Sequence, residues 1–274
     1  MLEKLFTDIA GIWNKYGMVY LDGIKNTVIL ATAATVIGCV IGLICGILNT
    51  IPVSSRDPLP KRIFLKIVRI ILRVYVEVFR GTPMILQAVF IYYGIPYFFG
   101  VSFDSIWTVS IVVVSINTGA YMAESVRGGI MSIDIGQTEG AKAIGMNHWQ
   151  TMTGVILPQA FRNILPQIGN NYIINIKDTS VMFIIGFSDF FAVHKMVSGA
   201  IFTYFPSAFM EMFGYLVLTL VASGLLRLLE KHMKGDKNYE LASGDQLVMA
   251  AGTYKVPSSA EPFEERSREF GGKR

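Results

Sequence analysis

Polar residues recur at helical spacing inside three apolar runs of this chain, and their chemistry suits a small zwitterion. Glu77, Arg80, Thr82 and Gln87 lie in the run from about Val74 to Phe99. Asn117, Tyr121 and Glu124 lie in the next, at i, i+4 and i+7, within an arc of about 60° on a helix. Gln167, Asn171, Asn175 and Asp178 share one face of a third, and Lys177 points away from that face unless the helix is locally unwound. A polar side chain within a membrane span faces the bundle interior or a wet cavity rather than lipid. Should the three faces converge, they line a path with donors, acceptors and both signs of charge. An amino acid needs just that: an anion for its ammonium, and a cation or amide donors for its carboxylate. The plainer alternative is interhelical glue, worth about 0.6–2 kcal/mol per residue. Glu77 and Arg80, three apart, also read as a structural ion pair.

Composition decides what kind of element must carry these residues. Of 274 residues, 52% are hydrophobic and 16% charged, and the mean hydropathy is +0.48. Soluble domains carry about 25% charged residues, so this is an all-α integral membrane protein. The net charge of +4 does not point to nucleic acid, because the basic residues gather at the ends of apolar runs and no nucleic-acid motif is present. Five transmembrane helices are expected, over about 24–51, 74–99, 106–130, 165–187 and 208–229. Arg56 to Arg73, Arg127, and Arg227 to Lys234 mark cytoplasmic ends, which puts the N-terminus outside and the C-terminus inside. Residues 1–23 read as an interfacial segment with Trp13, Tyr16 and Tyr20 at head-group level, 24–234 as the transmembrane domain, and 235–274 as a disordered cytoplasmic tail.

Several residues punctuate that plan. Gly38, Gly42 and Gly46 form a small-residue strip for close helix approach, either within one subunit or between two. Pro83 has no N–H for the carbonyl of Phe79, so the second span should bend at Gly81–Pro83. Pro158 and Pro166 are expected to delay the fourth span, and 188–206 to form an outer loop.

Between the third and fourth spans the chain turns polar. Glu139, Lys142, His148 and Trp149 belong in water, since a charge at bilayer depth costs about 2.5–3.5 kcal/mol. Glu139 to Ile144 reads as a short helix with Gly145 at its C′ position, and Asn147 caps a second helix that starts at His148. A capped hairpin in the cytoplasm suits a groove on a soluble partner, although a hairpin resting on the lipid surface is the simpler alternative.

These residues also carry a resemblance. Glu139, Ala141, Gly145, Val155, Leu157 and Pro158 match the E-A-A-x-x-x-G-x9-I-x-L-P signature of ABC importer membrane subunits, with Gly140 and Val155 as mild departures. The chain is more closely similar to the polar amino-acid uptake branch, through Arg80-Gly81-Thr82-Pro83 with Gln87, Ala120 to Ile130, Trp149-Gln150, Leu157 to Ala160 and Lys177 to Ser180. The resemblance spans about residues 20–235 and implies a type I importer permease. Its partners would be a cytoplasmic ABC ATPase dimer, an extracytoplasmic amino-acid-binding protein and a second permease half, identical or paralogous, in a prokaryotic plasma membrane. It implies that an L-amino acid contacts Arg80, Thr82, Asn117, Tyr121, Glu124, Lys177 and Asp178. It also implies that the EAA loop at 139–158, through Glu139, Ala141, Gly145, His148, Trp149, Leu157 and Pro158, supplies coupling helices seated in the ATPase.

No phosphate-binding loop, nucleophile elbow or zinc motif is present, His148, His194 and His232 are isolated, and no cofactor or metal is expected. Cys39 and Cys45 are spaced for neither a disulfide nor a metal site. The chain therefore reads as a non-enzymatic translocation subunit. The rival readings are an ion-gradient-driven secondary transporter using Glu124 and Asp178, and a membrane-embedded acid–base enzyme using Glu77, Glu124 and Asp178.

Overall fold

A computed structural model of the chain describes residues 2–53, 55 and 57–233, so the expected tail lies outside the described residues. All regular structure among them is helical. Helix α1, Leu2–Thr50, runs unbroken through residue 23, so no change of structure separates the expected N-terminal segment from the first span. Helices α5, Ile106–Met131, and α10, Phe205–Met233, are, like α1, long and apolar enough to cross a membrane. A helical stretch over His148–Ile185 is followed, after a 53° bend, by α9, Phe190–Ile201, and the bent pair together has the length and apolar composition of a fourth candidate span.

The glycine strip packs inside the subunit. A Cβ at Gly38 would sit 2.6 Å from Thr118 Cβ, one at Gly46 would sit 2.5 Å from Val126 Cγ1, and one at Gly42 would enter the Met122 side chain. All three neighbours lie on α5, so the strip lets α1 and α5 pack backbone to backbone, with Ala123, Val114 and Val113 buried along the seam.

The second span differs from expectation. Helix α2, Leu59–Gly81, carries the basic residues Lys61, Arg62, Lys66, Arg69 and Arg73, and its chain leaves the helix at Thr82 and Pro83, both in extended conformation. A new helix, α3, Met84–Val89, then starts and runs through a π-turn into α4, Ile95–Phe99. The chain breaks here instead of bending because the carbonyl orphaned by Pro83 finds better partners elsewhere. Phe79 O accepts from Gln87 Nε2 at 3.0 Å and from Asn117 Nδ2 at 3.0 Å. The Gln87 amide also bonds Thr82 O at 2.9 Å and takes a bond from Asn117 at 3.0 Å. Gln87 is 7% exposed, so its amide is committed to this role.

The expected delay of the fourth span is corrected as well. After α6, Ile135–Ala143, the short helix α7, His148–Thr151, passes through a second π-turn, Met152–Ile156, directly into α8, Leu157–Asp178. Pro158 sits in the first turn of α8 and Pro166 lies within it, and neither stops the helix. Both π-turns end two residues before a proline, Pro96 and Pro158. The wider turn accommodates the ring and the missing N–H, through Ile95 N–H to Phe90 O and Leu157 N–H to Met152 O. A 3₁₀ turn, Thr179–Ile185, ends α8.

The expected outer loop contains α9, held by buried polar contacts. Asp189 caps it by accepting from Ala192 N at 2.9 Å, and Ser207 Oγ joins Tyr20 OH at 2.6 Å to His194 Nδ1 at 2.8 Å. These ties fix the start of α10 and the bend before α9 against α1.

Replacing Gly42 with Val should cost about 1–3 kcal/mol through overpacking at the α1–α5 seam, read as a lowered thermal transition in detergent; an unchanged transition would mean the two helices separate easily. Gln87→Ala and Asn117→Ala together should destabilise by more than the sum of the single changes. Each alone leaves Phe79 O one donor, and the pair leaves it none, a penalty of about 1–3 kcal/mol. A double-mutant cycle on thermal unfolding checks this.

Candidate functional site

The break at Thr82–Pro83 faces α5 and α8, and a cavity of about 670 Å³ opens there. Arg80 and Thr82 reach it from α2, Asn117 and Tyr121 from α5, and Asp178 from the end of α8. Because the chain is extended at Thr82, Arg80 at the end of α2 and the residues after Pro83 border the same space without a helical backbone between them. Arg80 lies over the Tyr121 ring, 5.3 Å from its centroid, and pairs with Glu124 Oε2 at 2.8 Å. Glu124 Oε1 is 3.8 Å from Arg127. The aromatic face and the carboxylate hold the guanidinium in place while about two fifths of its side chain remains accessible.

The site residues expected from sequence divide into groups. Arg80, Thr82, Asn117, Tyr121 and Asp178 meet at the cavity. Glu124 stands at its edge, joined through Arg80, and borders a neighbouring cavity. Lys177 is exposed and does not line the cavity, consistent with its position off the polar face of a helix that stays regular to Asp178.

The polar face of α8 proves to be mixed. Asn175 Nδ2 donates to Thr35 Oγ1 of α1 at 2.8 Å and to Thr118 Oγ1 of α5 at 3.0 Å, while Thr118 donates back to its Oδ1 at 3.1 Å. Asn171 donates to Gln167 O at 2.9 Å and to Met122 Sδ at 3.3 Å. Both asparagines are largely buried and act as ties among three helices, although their edges border the cavity. Thr35 and Thr118 are the partners that sequence reasoning missed. A hydroxyl four residues from a carbonyl it can bond satisfies itself locally, as Thr35 does with Ala31 O at 2.7 Å, and so leaves little signal in hydropathy.

The hairpin is closed by its own local bonds. Asp134 caps α6, accepting from Gly136 N at 2.7 Å. The helix closes with Gly145 N–H to Lys142 O and Met146 N–H to Ala141 O, both 3.0 Å, and Gly145 has a φ of +84°. That is a Schellman closure. Asn147 and Gln150 then form a reciprocal capping box, each bond 2.9 Å. Ala141 is buried, whereas Glu139, Ile144, His148 and Trp149 are exposed, with Ile144 81% and Trp149 69% accessible. Leu157 and Pro158 form the first turn of α8, so the hairpin leads directly into the helix that bears Asp178.

Comparison with known proteins agrees with this architecture. Residues 38–235 match the family model described as binding-protein-dependent transport system inner membrane component. The glutamine transport system permease protein GlnP of Escherichia coli (strain K12) is 34% identical over 229 residues, covering 83% of this chain and 98% of that protein. The arginine transport system permease protein ArtQ of Bacillus subtilis (strain 168) is 31% identical over 216 residues, covering 79% and 93%. A crystal structure of an amino acid ABC transporter with histidines superimposes with a TM-score of 0.70 at 33% identity, covering 80% of this chain and 95% of that one. The chain belongs to the family of binding-protein-dependent transport system inner-membrane components, the multi-pass, non-catalytic permease subunits of ABC transporters.

Proposed function

We propose that this chain is the translocation subunit of an importer for polar L-amino acids, and that the cavity at the α2 break is where the amino acid passes. The observation that carries the proposal is the meeting of Arg80, Asn117 and Asp178 at one space among three helices. The Arg80 guanidinium suits a carboxylate and the Asp178 carboxylate suits an ammonium, while Asn117, whose two N–H groups go to Phe79 O and Gln87 Oε1, shapes the wall between them. The glutamine and arginine permeases among its relatives favour a polar amino acid as cargo. Lys177 and Glu124 then act from the margin, Glu124 by holding Arg80.

In this reading the chain crosses the membrane five times, through α1, the apolar stretch 84–99, α5, α8 and α10, with its N-terminus outside and its C-terminus inside. The stretch 84–99 is short for a span, and its break at Pro83 gives it a wet, polar end. Two permease halves, identical or paralogous, are served by a cytoplasmic ATPase dimer and an extracytoplasmic binding protein. Glu139, Ala141, Gly145, His148 and Trp149 form the plug seated in the ATPase, and Leu157 and Pro158 join it to α8. Exposed Ile144 and Trp149 supply the apolar contacts of that seat. Closure of the ATPase halves on ATP moves α5 and α8 as a rigid body and re-aims the cavity.

Reconstituted with its ATPase and binding protein, the chain should support uptake of a polar L-amino acid that requires ATP inside the vesicle. Uptake that follows an ion gradient without ATP would overturn the assignment. Gly145→Pro should leave ATP hydrolysis running while uptake falls by about tenfold or more. Proline's φ near −65° cannot reach +84°, and the N–H bonded to Lys142 O is lost. Parallel measurement of phosphate release and uptake checks this, and a constant ratio of the two would remove the hairpin from the coupling.

A further inference from the structure

A second cavity, about 440 Å³, lies against the first and carries more charge. Arg69, Arg73 and Glu77 line it from α2, and Glu124 and Arg127 from α5, with Asn49 at the end of α1. Three of these five ionic groups are already engaged. Arg69 bonds the carbonyl of Ile51, and Glu124 lies between Arg80 and Arg127. Arg73 and Glu77 have no hydrogen bond or ion pair with any described residue. They do not neutralise each other, and an acid four residues after a base is the weaker order for a helical pair. Both side chains are exposed to the water of the cavity. A free cation and a free anion four residues apart, about 6 Å along the helix, face one wet space and complement the two ends of an α-amino acid.

The two cavities meet at one ion pair. Arg80 borders the first cavity, Glu124 borders the second, and the 2.8 Å contact between them is the partition. An amino-acid carboxylate in the first cavity competes with Glu124 for Arg80. Glu124 has another guanidinium waiting, since Arg127 is already 3.8 Å away. Exchange of Glu124 from Arg80 to Arg127 removes the barrier without leaving a carboxylate unpaired.

We infer that the α2–α5 cavity is a second, cytoplasm-side binding site for a zwitterionic α-amino acid. Arg73 takes the carboxylate, Glu77 takes the ammonium, and the Arg80–Glu124 pair separates this site from the first. The inference rests on the proposed function, whose orientation puts the basic ends of α2 and α5 on the cytoplasmic side. Its consequence is product inhibition: an amino acid accumulated in the cytoplasm refills the inner site and slows release.

The test uses the full complex in proteoliposomes whose lumen holds ATP and either no amino acid or rising concentrations of glutamine or arginine, with uptake of the same labelled amino acid measured from outside. In the wild type, luminal amino acid should lower the initial rate. Arg73→Gln and Glu77→Gln should each raise the luminal concentration for half-inhibition by about tenfold, with a much smaller change in external half-saturation, and Arg73→Lys should restore most of the inhibition. Equilibrium dialysis of the detergent-solubilised complex, without binding protein, should find two labelled molecules per permease chain in the wild type and one in Glu77→Gln. Dialysis also reports on any variant too impaired to transport. Uptake unaffected by luminal amino acid, a shift of both constants together, or a single molecule bound per wild-type chain would overturn the second site while leaving the proposed function intact. Absence of ATP-dependent uptake for every amino acid tried would overturn the proposed function itself.

Discussion

One backbone carbonyl organises the site. Pro83 deprives Phe79 O of its helical donor, and within a membrane an unpartnered carbonyl costs several kcal/mol. Gln87 from the following helix and Asn117 from α5 both donate to it. That arrangement fixes the end of α2, the start of α3 and the approach of α5 together. It also explains why irregular backbone is tolerated at this depth: the chain at Thr82–Pro83 borders a polar cavity and is braced by amides. Arg80 and Thr82 owe their positions to the break, because in an unbroken helix α2 would continue through the space they now border.

Polar residues inside the bundle therefore do two jobs. Asn175, with its bonds to Thr35 and Thr118, ties α1, α5 and α8 together at a point where the glycine strip has already brought α1 and α5 into backbone contact. Close packing and a satisfied amide reinforce each other, because the short interaxial distance lets hydroxyls on two helices reach one side chain on a third. Charged residues are arranged differently. Arg80, Glu124 and Arg127 form a chain of ion pairs along the cavity walls, partly exposed, with Glu124 shared between the two guanidiniums. Buried amides hold the frame, and partly exposed charges line the cavities.

The hairpin obeys a third logic. Its turn is closed by its own Schellman and capping-box bonds, so its shape does not depend on the transmembrane bundle. Its Ile144 and Trp149 are exposed, while Ala141 and Met152 anchor it to the bundle. Helical structure from His148 continues through the π-turn to Ile185, so force applied at the hairpin reaches Asp178 through continuous helix. A proline that stopped the helix at 158 would have broken that continuity. The π-turn preserves it.

Some features were legible in the residues themselves because they depend on local chemistry. Apolar length marked the membrane helices, Gly145 announced a left-handed residue after a short helix, and Asn147 announced a cap. The role of Pro83 in orphaning Phe79 O was equally readable. What followed from that orphan was not, since a bend and a break differ only in whether Gln87 and Asn117 can reach the carbonyl, and Asn117 is 38 residues away from it. The same limit applied to the polar faces. Helical spacing put Asn175 and Asp178 on one side of α8, but only the positions of Thr35 and Thr118 separate a buried tie from a cavity wall. It also applied to the glycine strip, whose partner, α5 of the same chain, no periodicity in α1 can name. Local bonds are written in neighbouring residues, whereas contacts between distant segments are decided by which helices the tertiary fold brings together.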